Sequence, residues 1–187
     1  MDLPTQYGAD YERGTGGNRA MLSAYRVLDI TDQRGHLAGL MLSMLGAEVI
    51  KIEPPEGVAT RRSGPFDDSG NSLTHLAYDR GKKSVVLDLA SSEGRSRLLD
   101  LVEGADCLIE SQGAGVLESL GLSYQYLLDR NPSLVVGTLT AFGHTGPKAS
   151  WPATDLTLMA SACTMAFPGD ADRSPLRVSV PQAFHFA

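Results

Sequence analysis

The segment Leu45-Gly-Ala-Glu-Val-Ile-Lys-Ile-Glu-Pro-Pro-Glu-Gly57 limits the possible fold more than any other part of this chain. Gly46 closes an apolar helical stretch, Glu48–Ile52 reads as a short buried strand, and a Pro/Gly loop carries the chain away. With Val27-Leu-Asp-Ile30 as the preceding strand, the pattern is strand, helix, strand, and such a unit places its strands parallel in one sheet.

The remaining pattern repeats that alternation. Strand Tyr25–Ile30 leads through a polar turn, Thr31–Gly35, into a helix over His36–Leu45 built from small and aliphatic residues, as close packing on a sheet requires. Glu53–Gly70 is a long irregular stretch, and loops of that length in compact domains are usually functional or disordered. A short helix is expected over Ser72–Tyr78 and a strand over Ser84–Leu87. A helix opening at Ser92-Glu-Gly94 should run to about Glu103, and Cys107–Ile109 should be the next strand. Leu117–Leu120 reads as a helical turn, Ser123 as the N-cap of Tyr124–Arg130, and Leu134–Leu139 as a strand after the Asn131-Pro132 stop. A last helix, Asp155–Met165, precedes an extended piece, Arg177–Val180. The fold class that follows is α/β, a Rossmann-like, mostly parallel sheet with helices on both faces. Residues 1–20, polar and rich in turn formers, form a flexible lead-in to a domain over 21–187.

A net charge of −6 gives no basic face of the kind general nucleic-acid binding needs, although it leaves room for one basic pocket. No apolar run approaches the ~18 residues of a membrane span, the first residues have no signal-peptide core, and a cytoplasmic location is the expectation. Cys107 and Cys163 sit in apolar runs and read as small buried thiols. Neither they nor the four histidines show metal-ligand spacing.

Ligands of open parallel sheets bind beyond the carboxyl ends of the strands. Four loops leave such ends: Thr31–Gly35, Glu53–Gly70, Glu110–Gly115 and Ala141–Thr154. The first lacks a GxGxxG turn, which argues against a dinucleotide. Thr60-Arg-Arg62, Arg80 and Lys82-Lys83 are either solvated charges or cations for a phosphorylated ligand. His144 has no acidic neighbour in sequence to orient it. Asp155 is either a first-turn carboxylate facing the helix dipole or a carboxylate of a site. No nucleophile elbow and no Walker lysine is present.

Several ordered landmarks are similar to the family III CoA-transferases, the group that includes formyl-CoA transferase, carnitine CoA-transferase and α-methylacyl-CoA racemase. They are Val27-Leu-Asp-Ile-Thr31, Leu45-Gly-Ala-Glu-Val-Ile-Lys-Ile-Glu53, Lys82-Lys-Ser-Val-Val-Leu-Asp-Leu89, Glu93-Gly-Arg95, Ala105-Asp106 with Glu110, Gly115-Val-Leu-Glu-Ser-Leu-Gly-Leu122, Asn131-Pro-Ser-Leu-Val135 and Phe142-Gly-His-Thr-Gly-Pro147. The resemblance runs from Arg26 to Val180 and implies the N-terminal portion of a large CoA-binding domain, without the family's small domain. It also implies CoA or acyl-CoA as substrate rather than a tightly bound cofactor, a carboxylic acid as acceptor, and an interlocked homo- or hetero-oligomer with a related CoA-transferase subunit. Its cofactor contacts would fall on Arg61, Lys82, Lys83, Leu87, Ser111, Gln112 and Gly115.

Transferases of this family use an aspartate nucleophile, and Val178-Ser-Val-Pro-Gln-Ala-Phe184 matches the segment that carries it. Phe184 stands at the aspartate position, with His185 beside it. The histidine of the racemase branch corresponds to Thr154, next to Asp155. Pro54 replaces a basic residue common after Glu53, and Ser111-Gln112 replaces an Asn-aromatic pair. The resemblance therefore implies the half or subunit without the nucleophile. The rival readings are a complete transferase whose carboxylate lies elsewhere in the chain and a non-catalytic nucleotide- or CoA-binding scaffold module.

Overall fold

The structure, a computed structural model, describes residues 20–170 and 172–185; the lead-in expected over 1–20 lies almost wholly outside them. Five strands form one parallel sheet: β1 Arg26–Ile30, β2 Glu48–Glu53, β3 Lys83–Val86, β4 Cys107–Glu110 and β5 Val135–Thr138. Their spatial order is β3-β2-β1-β4-β5. The chain thus builds outward from β1 on one side, crosses back, and continues from β1 on the other. β1 pairs with β2 at Leu28↔Ile50 and with β4 at Leu28↔Leu108, so the three central strands share one register.

Alternation along these strands divides the apolar side chains between two faces. Leu28, Ile50, Ile52 and Leu108 pack with Leu98 and Val102 of helix α3 (Ser92–Glu103), Leu117 of α4 (Val116–Ser119) and Leu127 of α5 (Tyr124–Arg130). Val27, Val49 and Ile109 pack on the opposite face with Ala38 and Leu42 of α1 (His36–Met44). Helices therefore cover both faces, as expected. Burying a leucine fully contributes roughly 1.5–3 kcal/mol, and Leu28, Leu98, Leu108, Leu117, Leu122 and Leu127 are all at or below 1% exposure. The main core therefore lies on the α3–α5 face.

Side-chain caps begin four helices. The hydroxyls of Ser72, Ser91 and Ser123 accept amide hydrogens at the starts of α2 (Leu73–Tyr78), α3 and α5, and Thr154 forms a capping box with Thr157 at α6 (Asp155–Ser161).

Several expectations need correction. Glu53–Gly70 contains a 3₁₀ turn, Ala59–Arg62. β3 begins at Lys83 and ends at Val86, the last residue paired with β2, although the Leu87 amide still donates to the Glu53 carbonyl at 2.8 Å. The last helix stops at Ser161, where Cys163 takes a left-handed φ of 58°, and only a 3₁₀ turn, Thr164–Ala166, follows. Arg177–Val180 adds no strand to the sheet. Cys163 is exposed and Cys107 half-buried, both as free thiols. Among the described residues, no helix is long and apolar enough to cross a membrane.

Candidate functional site

Three of the five strands deliver a buried carboxylate to their carboxyl-terminal edge: Asp29 near the end of β1, Glu53 at the end of β2 and Glu110 at the end of β4. Each is at most 2% exposed. Buried charge at this level persists only where it is paired and hydrogen-bonded.

Asp29 meets two lysines. Its Oδ1 accepts from the Thr31 amide at 2.9 Å, the Thr31 hydroxyl at 2.6 Å and Lys51 Nζ at 3.0 Å, and its Oδ2 accepts from Lys82 Nζ at 2.9 Å. Lys51 also donates to the Thr31 carbonyl, and Lys82 to Asp79 at 2.8 Å and the His36 carbonyl at 3.1 Å. Burial alone would raise the Asp29 carboxyl, but the Lys51 and Lys82 charges and the hydrogen bonds outweigh it and hold it below the usual range. Helix α1 crosses directly above this pair at Gly39, where a Cβ would lie 2.3 Å from Asp29 Oδ2 and 2.8 Å from Lys82 Nζ. The result is a locked β1–α1 turn. Beside it the His36 ring stacks on Tyr78 at 3.8 Å, and burial presses its pKa down to about 4.

Glu53 is held from the loop that follows it. Arg61 grips it with a two-pronged contact, 2.6 Å from each carboxylate oxygen, while the Ser84 hydroxyl adds a 2.6 Å bond. The Arg61 hydrogen bond leads the causes that hold Glu53 down to about 2. The same contact raises the Arg61 pKa. Arg61 keeps 43% of its side chain exposed, so the outer face of the guanidinium remains open to a ligand.

At the strand-order reversal, between β1 and β4, two loops are stitched together. The Ser111 hydroxyl donates to Asp32 Oδ1 at 2.9 Å and accepts from the Asp32 amide at 2.9 Å, while Gln112 Nε2 donates to the Ile30 carbonyl at 2.9 Å. Burial tends to raise the Asp32 carboxyl, but bonds from Arg34 and Ser111 carry it below its ordinary value. Gly115, at φ 80°, sits in the left-handed region that lets α4 start abruptly. Glu110 accepts from the Gln112 amide at 2.6 Å and from the Tyr124 hydroxyl at 2.9 Å, and His144 Nε2 stands 3.9 Å from it. Burial, reinforced by the bond to Glu110, pushes the Tyr124 phenol well above its ordinary value and keeps it a donor.

Beyond β5, the loop Thr140–Phe142, helix α6 and the turn Ala183–His185 border an open cleft of about 430 Å³. Phe184 forms part of its wall. Asp155 lies in the first turn of α6, where its charge suits the helix dipole, but Thr154 is the N-cap. The Asp155 carboxylate instead bridges to the C-terminal turn, its Oδ1 accepting the backbone N–H groups of Gln182 and Ala183, each at 2.7 Å.

Residues 22–187 match CoA-transferase family III. The chain belongs to that family. It is 39% identical over 169 residues to the succinyl-CoA:(R)-benzylsuccinate CoA-transferase subunit BbsE of Thauera aromatica, an alignment covering 88% of this chain and 41% of the relative. It is 42% identical over 144 residues to the probable fatty acyl-CoA transferase Rv3272 of Mycobacterium tuberculosis, covering 75% and 36%. Among solved structures, a CAIB/BAIF family protein from Brucella suis superposes with a TM-score of 0.83 at 36% identity, covering 88% of this chain and 45% of that one. The chain therefore spans less than half the length of the relatives it matches.

Within this family III domain, the residues named from sequence do not form one cluster. Leu87, Ser111, Gln112 and Gly115 lie at or just beyond the carboxyl ends of β3 and β4, and Arg61 reaches the same edge from the loop after β2. Lys83 opens β3 at the opposite edge, where it pairs with Glu48. The Lys82 side chain is 1% exposed and enclosed by Asp29 and Asp79, so its ammonium faces the protein rather than solvent. Sequence reasoning missed the grouping of Glu110, Tyr124 and His144, and the link from Asp155 to residues 182–183. One signal was available: an apolar strand ending in glutamate, seen in both Ile-Lys-Ile-Glu53 and Cys-Leu-Ile-Glu110.

Proposed function

We propose that this chain is the CoA-binding portion of a family III CoA-transferase that moves CoA between an acyl-CoA and a carboxylic acid, and that it is the half or subunit lacking the nucleophile. The observation that carries the second part is the cleft wall at residue 184. The resemblance matches that position to the family's aspartate, and here the cleft wall carries a phenyl ring, which has no oxygen to attack a thioester. Support for a partnered role comes from the relatives, which include a protein named as a CoA-transferase subunit and one named as an alpha subunit.

CoA would lie along the carboxyl edge. The Arg61 guanidinium, oriented by Glu53, offers its open face to a phosphate, while Leu87 and the Ser111–Gly115 loop let backbone approach the ligand. In this reading Lys82 acts from below, holding Asp29 and the His36 carbonyl so that the β1–α1 turn keeps its shape. Lys83 plays no part in it. The thioester carbon would be attacked by a carboxylate from a related, aspartate-bearing subunit of an interlocked dimer, and use of CoA esters would put the assembly in the cytoplasm.

The test has two arms. Titration calorimetry of the full protein with CoA, alone and with a co-purifying homologue, should show binding that strengthens with the partner. Incubation with an acyl-CoA followed by mass spectrometry should place the covalent CoA ester on the partner. An ester on a carboxylate of this chain would overturn the non-nucleophilic assignment in favour of a complete transferase. CoA binding with no ester on either protein would favour a scaffold.

A further inference from the structure

The cleft beside Phe184 and the double hydrogen bond from Asp155 belong to one arrangement. Leu158 and Met159 of α6, with Ala162 just past its end, form one wall, Phe142 of the loop after β5 forms another, and Ala183 with Phe184 forms a third. Ala141 and three hydroxyl residues complete the lining, and none of these described side chains carries a charge. The cleft is within the ~300–1,000 Å³ range of small-ligand pockets, and it opens beyond the carboxyl end of β5, on the same edge as the other ligand loops.

Its width is set by how the third wall meets the first, and Asp155 makes that connection. It is the first residue of α6, and one oxygen of its carboxylate takes two successive amides, of Gln182 and Ala183, at the start of the turn that carries Phe184. Hydrogen bonds to a charged acceptor are about twice as strong as neutral ones, and no other side-chain hydrogen bond reaches the turn among the described residues. Removing the carboxylate leaves the turn held to the rest of the domain by His185, which stacks on Tyr78 at 5.7 Å and His36 at 6.1 Å, and loosens it from α6 on the side that faces the cleft.

We propose that Asp155 is a positioning residue that fixes Phe184 as the wall of an apolar acyl pocket, so that the site selects uncharged, apolar acyl groups over dicarboxylic ones. This rests on the CoA-thioester reading above. An apolar chain would exchange water for Phe142, Met159 and Phe184. A terminal carboxylate would meet no cation among the described lining residues to offset the water it gives up against these walls.

The experiment titrates the full protein, with its partner where one co-purifies, against CoA, hexanoyl-CoA and succinyl-CoA. Wild type should prefer hexanoyl-CoA to succinyl-CoA by at least about tenfold, which is about 1.4 kcal/mol. Asp155→Ala should remove most of that preference while leaving the Kd for CoA within about twofold, a split that general loss of structure would not produce. Asp155→Asn retains an acceptor oxygen and should recover part of the preference. Phe184→Ala should weaken hexanoyl-CoA without affecting CoA. Equal losses for all three ligands in Asp155→Ala, or a preference it leaves intact, would overturn the positioning role while the CoA reading stands. CoA binding with no preference in wild type would overturn the apolar pocket alone. No binding of any of the three would overturn both.

Discussion

Both ends of the sheet carry ion pairs, and the two sets differ in kind. At the amino-terminal edge, Arg26, Glu48 and Lys83 open β1, β2 and β3, and Glu48 takes a guanidinium on one oxygen and an ammonium on the other. All three side chains are roughly a third exposed or more. At the carboxyl-terminal edge, Asp29, Lys51, Lys82 and Asp79 form a four-charge cluster with every member at or below 7% exposure. Exposed pairs add little to stability because water and salt screen them, whereas a buried pair is expensive to assemble and far more expensive to break. The costly set therefore stands at the edge where the ligand loops leave, locking the turn from Thr31 to His36.

The sharpest way to break this contrast is to remove the charge at the centre of the buried cluster. Asp29→Asn leaves Lys51 without an ionic partner in a site that admits almost no water. Loss of one member of a buried pair costs about 3–5 kcal/mol, and urea unfolding should show a loss of that size. A loss under about 1 kcal/mol would mean the cluster behaves like a surface pair.

Gly39→Ala sets two effects of opposite sign against each other. Within a helix, alanine is favoured over glycine by about 1 kcal/mol. At Gly39 the new methyl would stand 2.3 Å from Asp29 Oδ2, so either α1 lifts or the Asp29–Lys82 pair separates. Overpacking of this kind costs about 1–3 kcal/mol, and the clash should win. A stabilised variant in thermal unfolding would show that α1 does not press on the pair.

Why some of this was legible in the sequence and some was not follows from the range of each interaction. The β-α-β alternation, the Ser123 cap and the Asn131 stop depend on neighbours within a few positions, and they appear where the sequence places them. The carboxyl edge depends on contacts between distant residues. Asp29 and Lys82 belong to different elements, as do Glu110 and His144, and no local pattern says that they meet. Arg177–Val180, read as extended, joins no sheet for the same reason: β-rich composition does not supply a partner strand. Lys82-Lys83 is the clearest case. Two adjacent lysines look alike in sequence, yet one side chain is sealed beneath α1 and the other is 61% exposed and reaches towards Glu48.

Acid should erode the carboxyl edge in two overlapping stages. His36 falls from an ordinary 6.5 to about 4 on folding, so the unfolded chain takes up that proton first. Its contribution is complete above pH 6.5 and is lost as pH drops towards 4. Glu53, held at about 2 against an ordinary 4.5, contributes fully above pH 4.5 and loses that contribution as pH drops towards 2. Urea midpoints should therefore decline continuously from pH 6.5 downward. His36→Phe, which keeps a ring on Tyr78, should flatten the upper stage only. An unchanged upper stage in that variant would mean that His36 does not carry it.

The smallest effect is expected at the amino-terminal edge, and it tests the other half of the contrast. Lys83 and Arg26 hold the Glu48 carboxyl down to about 2, which taken alone suggests a strong interaction. Yet the Glu48 side chain is 32% exposed and that of Lys83 61%, so much of the attraction is screened and ordering the long lysine offsets part of the rest. Lys83→Ala should change stability by less than about 1 kcal/mol, and even that should fade in 1 M salt, where charges are screened beyond ~3 Å. Because Lys83 opens β3 at the edge opposite the ligand loops, the same substitution should leave CoA affinity unchanged. A loss of affinity would bring Lys83 back into the CoA site and remove the division of labour between the two edges.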